Sequence, residues 1–295
     1  MSQLDVSEIL RKVQRIQIVA NRAVNDLFAG QYKSVFRGRG IEFDEVREYQ
    51  PGDDVRTIDW NVTARTGMPF IKRFCEEREL TILFAVDVSA SGAFGSRQRS
   101  KLDMVVEVAA MLMFSALKNN DKVGLVTFCD EVIDYFPPRK GKATVLHLIR
   151  QLVAVQPVAR ETNIAAALEF LGKVQRRRAV LFLISDFLAD PAREAMAVCN
   201  RRHDLIALTV ADPREHVFPD VGFVTLRDAE TGQIVELDTR HPQVRALFEH
   251  RAAARAQRLS DNLKKVGVDQ LAIHTDEDYL GSIHRFFRAR EKRFR

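Results

Sequence analysis

The chain has 295 residues, of which 46% are hydrophobic and 29% charged, with a formal net charge of +5. That is longer than one usual domain and ordinary in composition for a globular protein, so one main domain with a smaller addition is expected. No window reaches the roughly 18 uninterrupted apolar residues of a membrane span, and the start Met1-Ser-Gln-Leu-Asp-Val-Ser lacks the basic and apolar regions of a secretory signal, so a cytoplasmic protein is expected.

The first element is an amphipathic helix over about 6–28. Asp5-Val-Ser-Glu8 has the form of a capping box, and Ile9, Val13, Ile16, Ala20, Ala23, Val24 and Leu27 recur at helical spacing. Gly30, Gly38 and Gly40 then break the periodicity. Ile41-Glu-Phe43 and Val46-Arg-Glu-Tyr49 read as short extended pieces, followed by a turn at Pro51-Gly52-Asp53-Asp54. From Thr81 onward strands and helices alternate. Strands are predicted near 80–87, 122–129, 131–136, 178–185 and 204–211, and helices near 100–119, 143–154, 162–175 and 191–202. Almost unbroken apolar runs such as Ala179-Val-Leu-Phe-Leu-Ile184 suit parallel strands covered on both faces. The fold class is therefore α/β, a doubly wound and mostly parallel sheet. After Asp212-Pro213 a hairpin is predicted from Phe223-Val-Thr-Leu226 and Gln233-Ile-Val-Glu-Leu237. A helix over about 242–266, a strand at 268–273 and a final helix from about 276 complete the chain. The expected division is a subdomain at 1–78 and an α/β domain at 79–295.

One strand of this pattern delivers chemistry. Asp87-Val88-Ser89-Ala90-Ser91 directly follows the apolar run Thr81-Ile-Leu-Phe-Ala-Val86, placing one carboxylate and two hydroxyls in a loop. Thr162 opens a predicted helix and Asp186 closes a predicted strand, and ligands of open parallel sheets bind beyond the carboxyl ends of the strands. Asp87, Ser89 and Ser91 by themselves read equally well as a structural turn, and Thr162 and Asp186 in register favour a metal. The set Asp87, Ser89, Ser91, Thr162 and Asp186 offers a hard divalent cation such as Mg²⁺ or Mn²⁺ the oxygen ligands it prefers. In order and spacing it resembles the metal-ion-dependent adhesion site of von Willebrand factor A domains. That resemblance implies that Ser89, Ser91 and Thr162 touch the metal directly, while Asp87 and Asp186 act largely through water.

A second signature runs from Gly40 to Thr66, with Glu42-Phe43, Arg47-Glu-Tyr49, Pro51-Gly-Asp-Asp54 and Ile58-Asp-Trp60. It resembles a bacterial domain-of-unknown-function family, number fifty-eight, in which this segment precedes a von Willebrand A-like domain. The resemblance implies a non-enzymatic adaptor encoded beside a MoxR-type AAA+ ATPase, working in maturation or assembly of a protein complex and engaging an acidic residue on its partner. In physical terms, the segment mixes Glu42, Asp44, Glu45, Glu48, Asp53, Asp54 and Asp59 with Arg37, Arg39, Arg47, Arg56 and Arg65. Arginine forks pair carboxylates in two-point fashion, so a structural network is expected, with Trp60 as a core anchor.

Competing classes have weaker support. Gly141-Lys142-Ala143-Thr144 looks like the end of a phosphate loop, but Phe136 and Ala143 stand where a Walker motif needs Gly and Ser or Thr. A metal-dependent phosphohydrolase with Asp87 as nucleophile remains the enzymatic alternative, although Ser89 stands where such enzymes resemble Asp-x-Asp. Nucleic-acid binding is disfavoured because the six basic residues of 284–295, set against Glu291, equal the whole-chain excess of positive charge. That basic end reads as a terminal helix packing Phe286, Phe287 and Phe294. Cys75, Cys129 and Cys199 are odd in number and widely spaced, which indicates neither a disulfide framework nor a zinc site. Cys129 is expected to be a buried free thiol.

Overall fold

A computed structural model describes residues 6–23, 42–75, 79–96, 99–158, 160–229 and 232–294. In chain order the elements are α1 (Val6–Ala23), β1 (Glu42–Glu48), α2 (Trp60–Thr66), β2 (Phe70–Cys75), β3 (Thr81–Asp87), α3 (Lys101–Lys118), β4 (Lys122–Phe128), β5 (Val132–Arg139), α4 (Lys142–Ala154), α5 (Ile164–Val174), β6 (Val180–Ser185), α6 (Arg193–Arg202), β7 (Asp204–Ala211), β8 (Phe223–Arg227), β9 (Ile234–Asp238), α7 (Pro242–Lys265), β10 (Asp269–His274) and α8 (Tyr279–Phe294). The chain divides into two compact units, residues 1–35 with 80–295, and residues 36–79.

The larger unit is built on a six-stranded sheet of order β10-β7-β6-β3-β4-β5. Five strands are parallel and β5 runs antiparallel at the edge. Only residues 129–131 separate β4 from β5, too few for a parallel crossover, so the pair closes as a hairpin. The edge position also tolerates Pro137 and Pro138, which cannot donate to a ladder. At Gly124 in β4 an added Cβ would lie 2.8 Å from the Phe136 carbonyl oxygen and 2.7 Å from Leu83, so this close approach of backbones requires glycine.

The central strand β3 is buried from Ile82 to Val86. Each of Leu83, Phe84 and Val86 contributes about 1.5–3 kcal/mol by leaving water. The flanking helix α3 is buried on nearly all sides, with Met104, Val108, Ala109, Met113 and Ala116 fully covered. Its outer side is covered by α1, whose stripe Val13, Ile16 and Ala20 is also buried and which packs on α3 and α4. Where the sequence pattern groups this helix with the signature segment in a 1–78 subdomain, its contacts thus group it with the sheet. The part of the predicted helix at 24–28, with Gly30, Arg37, Gly38, Arg39, Gly40 and Ile41, lies outside the described residues.

At the other end, α8 buries Phe286 and Phe287, as expected of the terminal helix, and draws Arg290 in with them. Arg290 bonds both oxygens of Asp204, at 2.8 and 2.6 Å, and Arg293 pairs with Asp269 at 2.8 Å. Two charges of the basic end are therefore engaged within the unit. The side chain of Phe294 lies outside the described residues. No helix among the described residues is long and apolar enough to cross a membrane.

The smaller unit pairs β1 with β2, antiparallel, around the short helix α2. Two elements here have no sequence counterpart above: β2 and α2. Asp59 caps α2 by accepting from the amides of Asn61 and Val62, and Gly67 ends it in the left-handed conformation. Of the expected Arg–carboxylate network, the clear member is Arg47 with Asp53, a two-point pair at 2.9 and 2.7 Å. Asp54 caps a single turn at Val55–Thr57. The side chains of Glu42, Asp44, Glu45 and Cys75 lie outside the described residues. Trp60 corrects the expectation of a core anchor: it is 69% exposed. As the first residue of a capped helix of only seven residues, it sits at a turn rather than on a face long enough to be enclosed.

Candidate metal centre

The sheet reverses its winding at β3. The chain leaves β3 for β4 on one side and later returns through β6 on the other. That reversal opens a crevice at the carboxyl ends of β3 and β6, where a doubly wound sheet holds its ligands. Backbone bonds draw the loops together there: the Val158 amide donates to the Val88 carbonyl at 3.0 Å, and the Asn163 amide to the Cys129 carbonyl at 2.8 Å. Thr162 is thereby fixed over the end of β3, two residues ahead of α5, whose cap is Asn163.

Asp87 is the centre of this crevice and is 8% exposed. Its Oδ1 accepts from the Ser89 amide at 3.0 Å, and its Oδ2 accepts from the Ser185 hydroxyl at 2.7 Å and the Thr162 hydroxyl at 3.2 Å. The Ser89 and Ser91 hydroxyls lie 2.9 Å apart. Asp87, Ser89, Ser91 and Thr162 therefore form one hydrogen-bonded group. Burial raises the Asp87 pKa above the ordinary carboxylate value. The Ser89 amide and the Ser185 hydroxyl oppose that rise, and the nearby charge of Asp186 adds to it.

Asp186 follows the last residue of β6 and faces a different partner. Its Oδ1 accepts from the Leu188 amide at 3.2 Å, and its Oδ2 takes the Lys101 ammonium at 2.6 Å. Lys101 also bonds Glu215 Oε1 at 2.6 Å. Burial works against the Lys101 charge, but the two carboxylates outweigh it and raise its pKa. Beyond Glu215, the fully buried Asp212 accepts from the Ser96 amide and hydroxyl, the Arg214 amide and the Thr275 hydroxyl. Burial opposes its charge too, yet these donors hold its carboxyl below the usual range.

Three neighbours of the site were not among the expected residues. Ser185 stands one position before Asp186, where strand alternation alone marks it as a side chain of the opposite face. Lys101 sits in the first turn of a helix, an ordinary place for a solvated charge, and Glu215 lies far along the chain. The signal for the last two is tertiary, because the ends of α3 and β7 must first be brought together.

The donor set fits a hard cation. Two carboxylates and three hydroxyls supply only oxygen, which suits Mg²⁺ or Mn²⁺. Among the described residues no group of three or more His, Cys, Asp or Glu could hold a metal, so any ligand set here must draw on hydroxyls. Cys129 is buried, as expected, and its thiol lies 2.8 Å from Asp130 Oδ1.

The chain is similar to several known proteins. The family model described as "Protein of unknown function DUF58" matches residues 45–258. Uncharacterized protein Rv1480 of Mycobacterium tuberculosis is 31% identical over 296 residues, spanning 98% of this chain and 92% of its own. Uncharacterized protein YeaD of Bacillus subtilis is 30% identical over 145 residues, 49% of this chain and 34% of its own. Among solved structures, the conserved hypothetical protein BatB from Bacteroides thetaiotaomicron has a TM-score of 0.45 at 15% identity, covering 72% of this chain and 99% of its own. Proximal thread matrix protein 1 from the mussel byssus, solved with a zinc-occupied MIDAS motif, has a TM-score of 0.36 at 16% identity, covering 45% of this chain and 38% of its own.

Proposed function

This chain belongs to the family of proteins of unknown function DUF58, and we propose that it is a non-enzymatic adaptor whose von Willebrand A-like domain binds Mg²⁺ or Mn²⁺ at Asp87, Ser89, Ser91, Thr162 and Asp186. The bound ion engages an acidic residue of a protein partner. One observation carries this reading. Asp87 is a buried carboxylate that hydroxyls and an amide surround and, among the described residues, no basic side chain pairs. Buried charges are paired or coordinate metals, so the site calls for a cation. Ser89, Ser91 and Thr162 supply the remaining oxygens. Once bound, the ion would polarise and attract a carboxylate. The chain's own part is to hold the oxygens in place.

A nucleophilic role for Asp87 has less support. Its Oδ1 and Oδ2 are both engaged by donors from two loops and the end of β6, an arrangement that fixes a ligand rather than frees an attacking group. Within the same proposal, the partner is a MoxR-type AAA+ ATPase, the setting is the cytoplasm, and the task is maturation or assembly of a protein complex. That choice of partner rests on the resemblance of the Gly40–Thr66 segment alone.

The experiment is retention of a purified MoxR-type ATPase on the immobilised chain, in Mg²⁺ and in chelator, for wild type and Ser89→Ala/Ser91→Ala. Retention that needs both Mg²⁺ and the serines is expected. Equal retention under all four conditions would place recognition on another surface, with the exposed Trp60 the first residue to test.

A further inference from the structure

Lys101 lies beside the candidate metal centre but outside its ligand set, and its placement is constrained from several sides. Its side chain is 2% exposed, with the ammonium 2.6 Å from both Asp186 and Glu215. The reciprocal capping pair of Ser100 and Asp103 starts α3 at this residue, and the Lys101 amide donates to the Phe94 carbonyl at 2.9 Å. Glu215 is held by its other oxygen, which accepts from the Asp212 amide at 3.0 Å, and Asp212 is itself anchored by four donors. The Leu188 amide holds the free oxygen of Asp186. Burying an ammonium costs several kcal/mol, and a residue needed only to fill this space would be apolar.

Resting on the metal-centre reading above, we propose that Lys101 is an internal counter-cation of that centre. It neutralises Asp186, so that this carboxylate serves the divalent ion only through water and adds little negative charge to it. The ion then meets one unpaired negative charge, that of Asp87, among the five residues, so it keeps an excess of positive charge. The site fills weakly by itself and tightens when an anion arrives from outside. Metal affinity and partner affinity are thereby coupled, and the coupling is reciprocal. Lys101 is a positioning residue that acts through Asp186 and touches neither metal nor partner.

The test is titration of the full chain with Mn²⁺ alone, following free Mn²⁺ by electron paramagnetic resonance. Lys101→Met faces two carboxylates without their cation. Its companion Lys101→Met/Glu215→Gln removes one of those charges while keeping an acceptor for the Asp212 amide, and it serves if the single variant does not fold. Unit charges a few ångströms apart at an effective dielectric near 20 interact strongly enough that both variants should bind Mn²⁺ about tenfold tighter or more. Lys101→Met/Asp186→Asn should lose that gain, which a merely structural role for Lys101 would not produce. Acetate should tighten Mn²⁺ binding in wild type and do so less in Lys101→Met/Glu215→Gln. The proposal is overturned if wild type binds Mn²⁺ and the Lys101 variants bind it equally well, or if the gain survives in the Asp186→Asn background. Absence of any Mn²⁺ binding by wild type would instead overturn the metal centre itself.

Discussion

Replacing Ser185 by alanine tests whether Asp87 is held as described. Ser185 is buried, donates to Asp87 Oδ2 at 2.7 Å and accepts from the Phe187 amide at 3.1 Å. The first bond goes to a carboxylate and is worth about 1.5–3 kcal/mol, and an unmet buried amide costs about 1–3 kcal/mol more. A loss of about 3–5 kcal/mol in chelator is therefore expected, which for a domain of this size lowers the melting temperature by roughly 6–20 °C. The pH dependence has a definite sign. Asp87 has a raised folded-state pKa, so the folded protein binds its proton more tightly than the unfolded chain does, and stability from this group rises as pH falls through the folded pKa toward the lower, unfolded one. Without the Ser185 hydroxyl, which favours the charged form, that pKa rises further. The gap between variant and wild type should accordingly narrow on acidification. Thermal melts in chelator from neutral pH down to about pH 5 make the measurement. A loss below about 1 kcal/mol, or a gap that widens with acid, would refute the Ser185–Asp87 bond.

Three further outcomes follow from the packing. Gly124→Ala should destabilise by about 1–3 kcal/mol, because its Cβ would meet the Phe136 carbonyl at 2.8 Å and the Pro138 nitrogen at 2.9 Å, neither of which can yield; an unchanged urea midpoint would contradict it. Arg290→Met should cost about 2–4 kcal/mol by leaving Asp204 without its guanidinium and Asp269 with Arg293 alone, somewhat less than a fully buried pair because both carboxylates keep some solvent. Adding Asp204→Asn should recover part of that loss in chemical denaturation. Burial pushes the Cys199 thiol up to about 12, so iodoacetamide at pH 8 should leave it unmodified in the folded protein and label it in urea, as read by mass spectrometry.

The larger unit was legible because its signals are local. Runs such as Ile82 to Val86 and Val180 to Ile184 are long, apolar and rich in β-branched or aromatic residues, and their burial on both faces follows from the parallel sheet. The order Asp87, Ser89, Ser91 and Thr162 was legible for the same reason, since Asp87 ends β3, Ser89 and Ser91 lie in the turn that follows it, and Thr162 stands just ahead of α5. Asp186 shows where that reasoning stops. Its position beyond β6 was readable, but its bond to Lys101 depends on α3 and the turn after β7 meeting in space. Trp60 and helix α2 were missed by a different route. Polar caps and a Gly67 terminus define that helix, and it is too short for hydrophobic periodicity to register or to enclose an indole.

The most direct test of the metal centre is the melting temperature of the full chain in Mg²⁺ against chelator, for wild type, Ser89→Ala/Ser91→Ala and Thr162→Ala. Metal that binds only the folded site stabilises it by mass action, about 1.4 kcal/mol at ten times the dissociation constant. Wild type should shift upward in Mg²⁺, the double serine variant should not respond, and Thr162→Ala should respond weakly, losing in chelator no more than its long bond to Asp87 at 3.2 Å contributes. Identical responses from all three proteins would contradict the assignment of these hydroxyls as ligands.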